Sequence, residues 1–285
     1  MNVLEQRKVF MGEAKRNVEA GTTELLKLTE LKMESTAKQR RAITAGVALI
    51  KKTMRHISNV TALSILLVVL FAFSAQALVV AHIADAHIGI KSNDERLTNV
   101  IWMVNQQANV AVIAGDLTQK STDEQFGIIS AMLDDSTIPV LAVRGNHDKS
   151  ESFESWIGDR HWFYDINDAD YEYRIIGIDT FAPDFNLIEN FMQTGRIMIV
   201  VDHRPIKGSR SLPIKKDIRA ELLELFAEYN VLCYLTGHNH KASYNVEEDS
   251  GTLLIGSGAA KQGNYNLLFI DGRNIETYFM NVKRP

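Results

Sequence analysis

At 285 residues and a formal net charge of −4, the chain has the size of one compact domain preceded by something different. The charge is uneven: residues 1–58 carry twelve Lys and Arg against six Glu, so the remainder is net −10. That acidic remainder lacks the Lys and Arg clusters that bind phosphate backbones, which argues against nucleic acid as a partner, and the single Cys233 excludes an intramolecular disulfide.

In chain order, residues 1–53 form a basic extension with amphipathic helical character through Leu25, Leu28 and Leu31. A charge-free stretch, Ile57 to Ala84, follows behind Lys51, Lys52, Arg55 and His56. Its apolar heart, Ala62 to Phe73, fits the roughly 7–15 residue h-region of a secretory signal, and Ala75-Gln76-Ala77 supplies a small-x-small cleavage pattern. Met54 opens a stretch that reads alone as a signal peptide, so residues 54–77 are expected to be a signal, with 1–53 either upstream of the true start or a cytoplasmic or juxtamembrane helix. The alternative is an uncleaved anchor touching the membrane through residues 57–77. A span needs about 20 apolar residues, and Leu78–Ala84 are required elsewhere. Both readings put the rest of the chain outside the cytoplasm, exported to a periplasmic or extracellular space.

From Leu78 the pattern alternates strands and helices. Strands are predicted at Leu78–Ala84, Val110–Ala114 and Pro139–Val143, with helices at Asp94–Gln107 and Thr122–Asp134 between them. Later strands are predicted at Tyr171–Ile178, Ile197–Val201, Val231–Leu235, Thr252–Ile255, Asn266–Ile270 and Ile275–Met280, with a helix at Lys215–Tyr229. No internal repeat or low-complexity linker interrupts residues 78–285, which read as one domain. Cys233, inside an apolar run, reads as a small buried hydrophobe rather than a nucleophile.

Five short motifs follow strand ends: Asp85-Ala86-His87, Gly115-Asp116, Gly145-Asn146-His147-Asp148, His203-Arg204-Pro205 and Gly237-His238-Asn239-His240. Open α/β folds place their sites at such ends. Together the motifs supply Asp, His and Asn ligands for two adjacent divalent cations and a spare histidine for proton transfer. Gly237 is read as permitting a tight turn. The other histidines receive no function: His56 lies in the basic flank, His82 reads as an interior or inter-layer residue, and His161 beside Trp162 and Phe163 is assigned to packing.

In this order, the five motifs resemble those of the calcineurin-like metallophosphoesterases, from about Leu78 to the chain's end. The resemblance implies an α/β fold, a four-layer α/β/β/α sandwich of two facing sheets flanked by helices. It implies that Asp85, His87 and His240 hold one metal, that Asn146, His203 and His238 hold a second, and that Asp116 bridges them. The cofactors implied are two divalent ions, Mn, Fe or Zn, which activate a hydroxide for in-line displacement at phosphorus. His147 is implied to be the acid at the leaving group, with Asp148 fixing its orientation. Arg144 and Arg204 are candidates for contacting substrate phosphate.

Leu117-Thr118-Gln119-Lys120 departs from the Asp-Arg-Gly of Ser/Thr protein phosphatases. The Gly-Asp-Leu-Thr run, Gly256-Ser257-Gly258 and Asn264-Tyr265-Asn266 look more like the small cyclic-nucleotide phosphodiesterase type, although Asp202 and Arg204 depart from its His-His-Pro-Pro. The implied activity is hydrolysis of a small phosphodiester or phosphomonoester. A nuclease and a non-catalytic scaffold of the same fold stand as alternatives.

Overall fold

A computed structural model describes residues 77–209 and 211–282. The readings for residues 1–53 and for the signal or anchor segment up to residue 76 lie outside the described residues. Among the described residues no helix is long and apolar enough to cross a membrane.

The first sheet is built from β1 (Leu78–Ile83), β2 (Val110–Ala114), β3 (Val140–Val143), β10 (Asn264–Asp271) and β11 (Asn274–Asn281), in the order β11-β10-β1-β2-β3. The strands β1, β2 and β3 run parallel, and the C-terminal hairpin β10–β11 adds antiparallel to β1. Helices α1 (Lys91–Gln107) and α2 (Asp123–Asp134) make the crossover connections that parallel pairing demands. The second sheet holds β4 (Trp162–Asn167), β5 (Glu172–Gly177), β6 (Ile197–Val201), β7 (Cys233–Thr236), β8 (Ser243–Val246) and β9 (Leu253–Gly256), in the order β4-β5-β6-β7-β9-β8. Its parallel centre, β5-β6-β7-β9, carries antiparallel β4 and β8 at the two edges. Helices α3 (Ser150–Trp156), α4 (Phe185–Met192) and α5 (Lys216–Glu228) complete the set.

Because successive side chains of a strand point to opposite faces, each sheet buries two apolar faces. In β1, Val79, Ala81 and Ile83 pack with Leu97, Val104, Phe126 and Ile129 of α1 and α2. The alternate residues Leu78, Val80 and Ala84 pack toward Ile175, Ile199, Val201, Cys233 and Leu235 of the second sheet. On the far side of that sheet, Ile176, Met198, Val200 and Tyr234 meet Ile188, Met192, Leu222 and Phe226 of α4 and α5. Three apolar seams mean four layers, helix, sheet, sheet and helix, as the sequence resemblance implied.

The predicted central strands and long helices are present with ends shifted by up to three residues. Two α-helices and two strands were not anticipated, nor was the 3-10 segment Ala260–Gln262. The helices α3 and α4 span only 7 and 8 residues, too few turns for a readable helical period. Strand β4 does alternate, with Trp162, Tyr164 and Ile166 turned inward and Phe163, Asp165 and Asn167 outward, but its three aromatics obscure the period. Strand β8 is exposed along its whole length, so no apolar face marks it, and its pairing to β9 makes it a strand. Cys233 is buried between the sheets, which pushes its thiol pKa up and suits packing rather than nucleophilic chemistry.

His82 shares the inter-sheet face of β1 with Val80 and Ala84. It is fully buried, with Nδ1 3.2 Å from the Asn266 side-chain amide and Nε2 without a hydrogen-bond partner. Burial lowers its pKa from 6.5 to about 3, against a smaller upward pull from the Thr236 backbone. An unfolded chain protonates this ring below about pH 6.5 and the folded chain only near pH 3, so the unfolded state binds more protons throughout that window. Stability is therefore expected to fall as pH drops through it, by at most about 1.4 kcal/mol per pH unit from this residue. Urea melts of the protein and its His82→Gln variant between pH 4 and 7 check this. The variant should show the shallower loss, and parallel curves would refute the assignment.

Candidate metal centre

The motif residues leave the carboxyl ends of β1, β2, β3, β6 and β7, so both sheets feed one cluster. The loops that carry them are tied edge to edge: Asp85 N donates to Gly115 O at 3.0 Å, His87 N to Asp116 O at 3.0 Å, and Gly237 N to His203 O at 3.1 Å. Five site residues have left-handed backbone, Asp85, His87, Asp116, His238 and His240, with φ between 48° and 68°. Non-glycine residues seldom adopt this conformation, and it concentrates at functional sites. Gly237 is required for a different reason from the turn expected of it: a Cβ there would stand 2.8 Å from Asp85 Oδ2 and 2.8 Å from Ala114 O.

Asp85, His87, Asp116 and His240 each offer one ligand atom, and those atoms all lie within 4.8 Å of one another. His240 Nε2 stands 3.2 Å from Asp85 Oδ1, and His87 Nε2 stands 3.6 Å from Asp116 Oδ2. Both ring nitrogens of buried His87 lack hydrogen-bond partners. Its pKa falls to about 4, chiefly by burial, which keeps the imidazole neutral and able to donate a lone pair at neutral pH. Burial alone would raise the Asp85 carboxyl pKa, but the hydrogen bond with His240 is the largest of the opposing influences, which together bring it below the ordinary value.

A second group gathers round His203 Nε2. Asn146 Oδ1 is 3.0 Å away, His238 Nδ1 3.1 Å and Asp116 Oδ1 3.5 Å. The outward nitrogens are committed: His203 Nδ1 lies 2.9 Å from the Ala114 carbonyl, and His238 Nε2 lies 2.6 Å from the Ser211 carbonyl. Carbonyl oxygens only accept, so each of these nitrogens carries a proton, and in the neutral ring the inward nitrogen keeps its lone pair. Burial alone would lower the His203 pKa, but the Asp116 and Asp85 carboxylates and the Ala114 carbonyl outweigh it and raise the pKa, so a cation there competes with a proton. With both rings neutral, four acceptors face one another with no donor among them, an arrangement that suits a divalent cation. The two Asp116 oxygens divide between the groups, Oδ2 toward His87 and Oδ1 toward His203.

His147 borders the first group, its ring 4.7 Å from that of His87 and edge-on to it. The expected role of Asp148 needs correction. Its carboxylate does not reach His147; it accepts from Leu117 N, Thr118 N, Thr118 Oγ1 and Gly145 N, clamping the β2 and β3 loops together. The group that orients His147 is the Gln119 carbonyl, 3.0 Å from Nδ1, which leaves Nε2 at the outer end of the ring.

The two arginines are also placed differently from the sequence expectation. Arg144 grips Asp179 through Nε and Nη2 at 2.8 and 3.1 Å and donates Nη1 to the Asp148 carbonyl. Arg204 is buried and donates to Thr180 Oγ1 and to the Thr180, Leu212 and Pro213 carbonyls, while its guanidinium lies 4.0 Å over the Phe181 ring. Both cations brace loops within the protein. The carbonyls of Ala114, Gln119 and Ser211, which orient three site histidines, were missed by sequence reading because a backbone oxygen has no residue signature.

Residues 78–242 match the family model described as calcineurin-like phosphoesterase. A protein named probable glycerophosphodiester phosphodiesterase GpdQ, from Arcobacter nitrofigilis, is 23% identical over 201 residues, covering 58% of this chain and 73% of its own. One named probable cyclic nucleotide phosphodiesterase, from Fibrobacter succinogenes, is 30% identical over 90 residues, 28% of this chain and 34% of that protein. The purple acid phosphatase PPD1 from yellow lupin (Lupinus luteus) seeds superposes with a TM-score of 0.58 at 12% identity, over 73% of this chain and 52% of its own, and so shares the fold.

Gly115 allows His203 to reach its position: at φ +77° a Cβ there would stand 2.6 Å from His203 Nδ1. Gly115→Ala is expected to cost about 2–4 kcal/mol through overpacking and backbone strain, and to weaken metal binding. Thermal melts and metal analysis test this, and a variant with unchanged melting and metal content would contradict it.

Proposed function

Because the chain belongs to the calcineurin-like phosphoesterase family, a family of phosphoester hydrolases, we propose that it hydrolyses a small phosphodiester or phosphomonoester at a centre of two divalent cations. The observation that carries the binuclear reading is the Asp116 carboxylate, whose oxygens address two separate groups of inward lone pairs. Asp85, His87 and His240 serve one cation, Asn146, His203 and His238 the other, and Asp116 both. Bound there, the cations supply Lewis-acid activation of water and stabilise the charge that develops at phosphorus. Mn, Fe and Zn all suit this mixture of imidazole, carboxylate and amide oxygen.

The protein's own contribution is position and a proton. The Ala114 and Ser211 carbonyls hold His203 and His238 in the tautomers that present lone pairs inward. The Gln119 carbonyl fixes His147 through Nδ1, so protonated His147 can deliver the Nε2 proton to the departing alkoxide. Asp148 acts one step removed, holding the Gly115–Thr118 and Gly145–His147 loops in register.

Both curated relatives bear phosphodiesterase names, which favours a diester, with cyclic nucleotides one candidate. Export rests on the apolar run and small-x-small pattern of residues 54–77.

His147→Asn is expected to retain metal and lose about 100-fold or more in kcat. Steady-state kinetics with metal analysis decide this, and wild-type turnover would remove the acid assignment. Chelation should abolish activity and Mn restore it. In a panel of a generic diester, a generic monoester and 2′,3′- and 3′,5′-cyclic nucleotides, failure of the Mn-loaded full-length protein on every ester would sink the reading.

A further inference from the structure

The turn between β9 and β10 brings a cationic side chain to the edge of the metal centre. Its 3-10 segment, Ala260–Gln262, is fastened to the β1 loop by Ala260 N to Ala84 O at 2.7 Å and Lys261 N to Asp85 O at 3.2 Å. Arg96 of α1 donates to the Lys261 carbonyl, and Gly263, at φ +82°, closes the turn with a 2.7 Å bond to Ala260 O. A Cβ on Gly263 would stand 2.6 Å from Val282 O, so the turn has little room to shift. The backbone of Lys261 is therefore fixed one hydrogen bond from a proposed metal ligand.

The half-buried Lys261 ammonium lies close enough to Asp85 and Asp116 to feel both carboxylates, and to act in turn on His87. Among the described residues it forms no ion pair with either carboxylate. Burial holds its pKa below that of an ordinary lysine. Two carboxylates offset only half the charge of two divalent cations, so beside a loaded centre the ammonium faces net positive charge. Its position becomes favourable when an anion lies between it and the centre. Arg144 and Arg204, the sequence candidates for holding such an anion, are committed to Asp179, Thr180 and loop carbonyls.

We propose that Lys261 is a substrate-binding residue whose ammonium takes a non-bridging phosphoryl oxygen of the ester seated at the metal centre. The inference rests on the phosphoesterase reading above. Lysine suits the task as a compact, mobile point charge that can follow the phosphoryl group without imposing the planar fork of arginine.

The test uses the full-length protein and its Lys261→Gln and Lys261→Arg variants, loaded with Mn and probed with inorganic phosphate by calorimetry, and with the best diester of the panel by steady-state kinetics. Lys261→Gln is expected to keep the wild-type metal stoichiometry and melting temperature, bind phosphate about tenfold more weakly and raise KM about tenfold, as for one charge-assisted hydrogen bond. Lys261→Arg should recover most of the phosphate affinity. Phosphate affinity within about twofold of wild type in Lys261→Gln overturns the proposal, using the same factor of ten per bond as yardstick. Loss of metal from Lys261→Gln also overturns it, because the lysine would then serve the ligand cluster. Wild-type protein that binds phosphate through Lys261 but hydrolyses no ester would refute the phosphoesterase reading and leave the anion contact standing.

Discussion

The structure turns on one carboxylate whose two oxygens face two different groups of site residues. Asp116 Oδ1 accepts from His147 N at 2.8 Å, yet its two oxygens also face His203 Nε2 and His87 Nε2. The carbonyl tie on the far side of the His203 ring takes the Nδ1 proton, so in the neutral ring Nε2 keeps its lone pair. Converging acceptors that are buried together repel one another and have lost their water. A divalent cation reverses the sign of every one of those contacts. The surrounding loops are arranged to keep this conflict in place: Asp148 gathers the β2 and β3 loops with four hydrogen bonds, and Gly145 packs so tightly that a Cβ would stand 2.0 Å from Asp116 N.

Holding these groups together costs stability. Five site residues sit in left-handed backbone, each at roughly 1–2 kcal/mol for an L-residue. The three apolar seams of the sandwich offset it, because every site residue lies within a few positions of a strand whose faces are buried. Rigid strands underneath and strained loops above are what preorganisation requires: the ligand positions exist before substrate arrives, and little reorganisation remains for the reaction itself.

Much of this was legible in the residues. The Leu78–Ile83, Val110–Ala114 and Ile197–Val201 runs announced buried parallel strands by their unbroken apolar character, and each motif stood at a strand's end. Asp, His and Asn at those ends carry their ligand chemistry intrinsically, so the reaction class could be read before the fold. Legibility failed where identity and surroundings diverge. Asp148 follows His147 directly, which suggested that it orients its neighbour, but its side chain turns into the β2 loop while His147 meets the Gln119 carbonyl. Arg144 and Arg204 flank ligands in sequence, yet their guanidinium groups turn toward Asp179 and Thr180, whose approach depends on the second sheet.

The sequence by itself determined the order of the central strands and long helices, their α/β alternation and the set of lone-pair donors, because hydrophobic period and side-chain chemistry are local properties. Only the tertiary structure decided which oxygen of Asp116 faces which histidine, which carbonyl sets each tautomer and where each cation points. Those choices depend on partners 28 residues apart for His147 and Gln119, 89 for His203 and Ala114, and 153 for His238 and Asp85. No pattern along the chain encodes such distances; they are set when two sheets with complementary apolar faces pack and bring their carboxyl ends to one place.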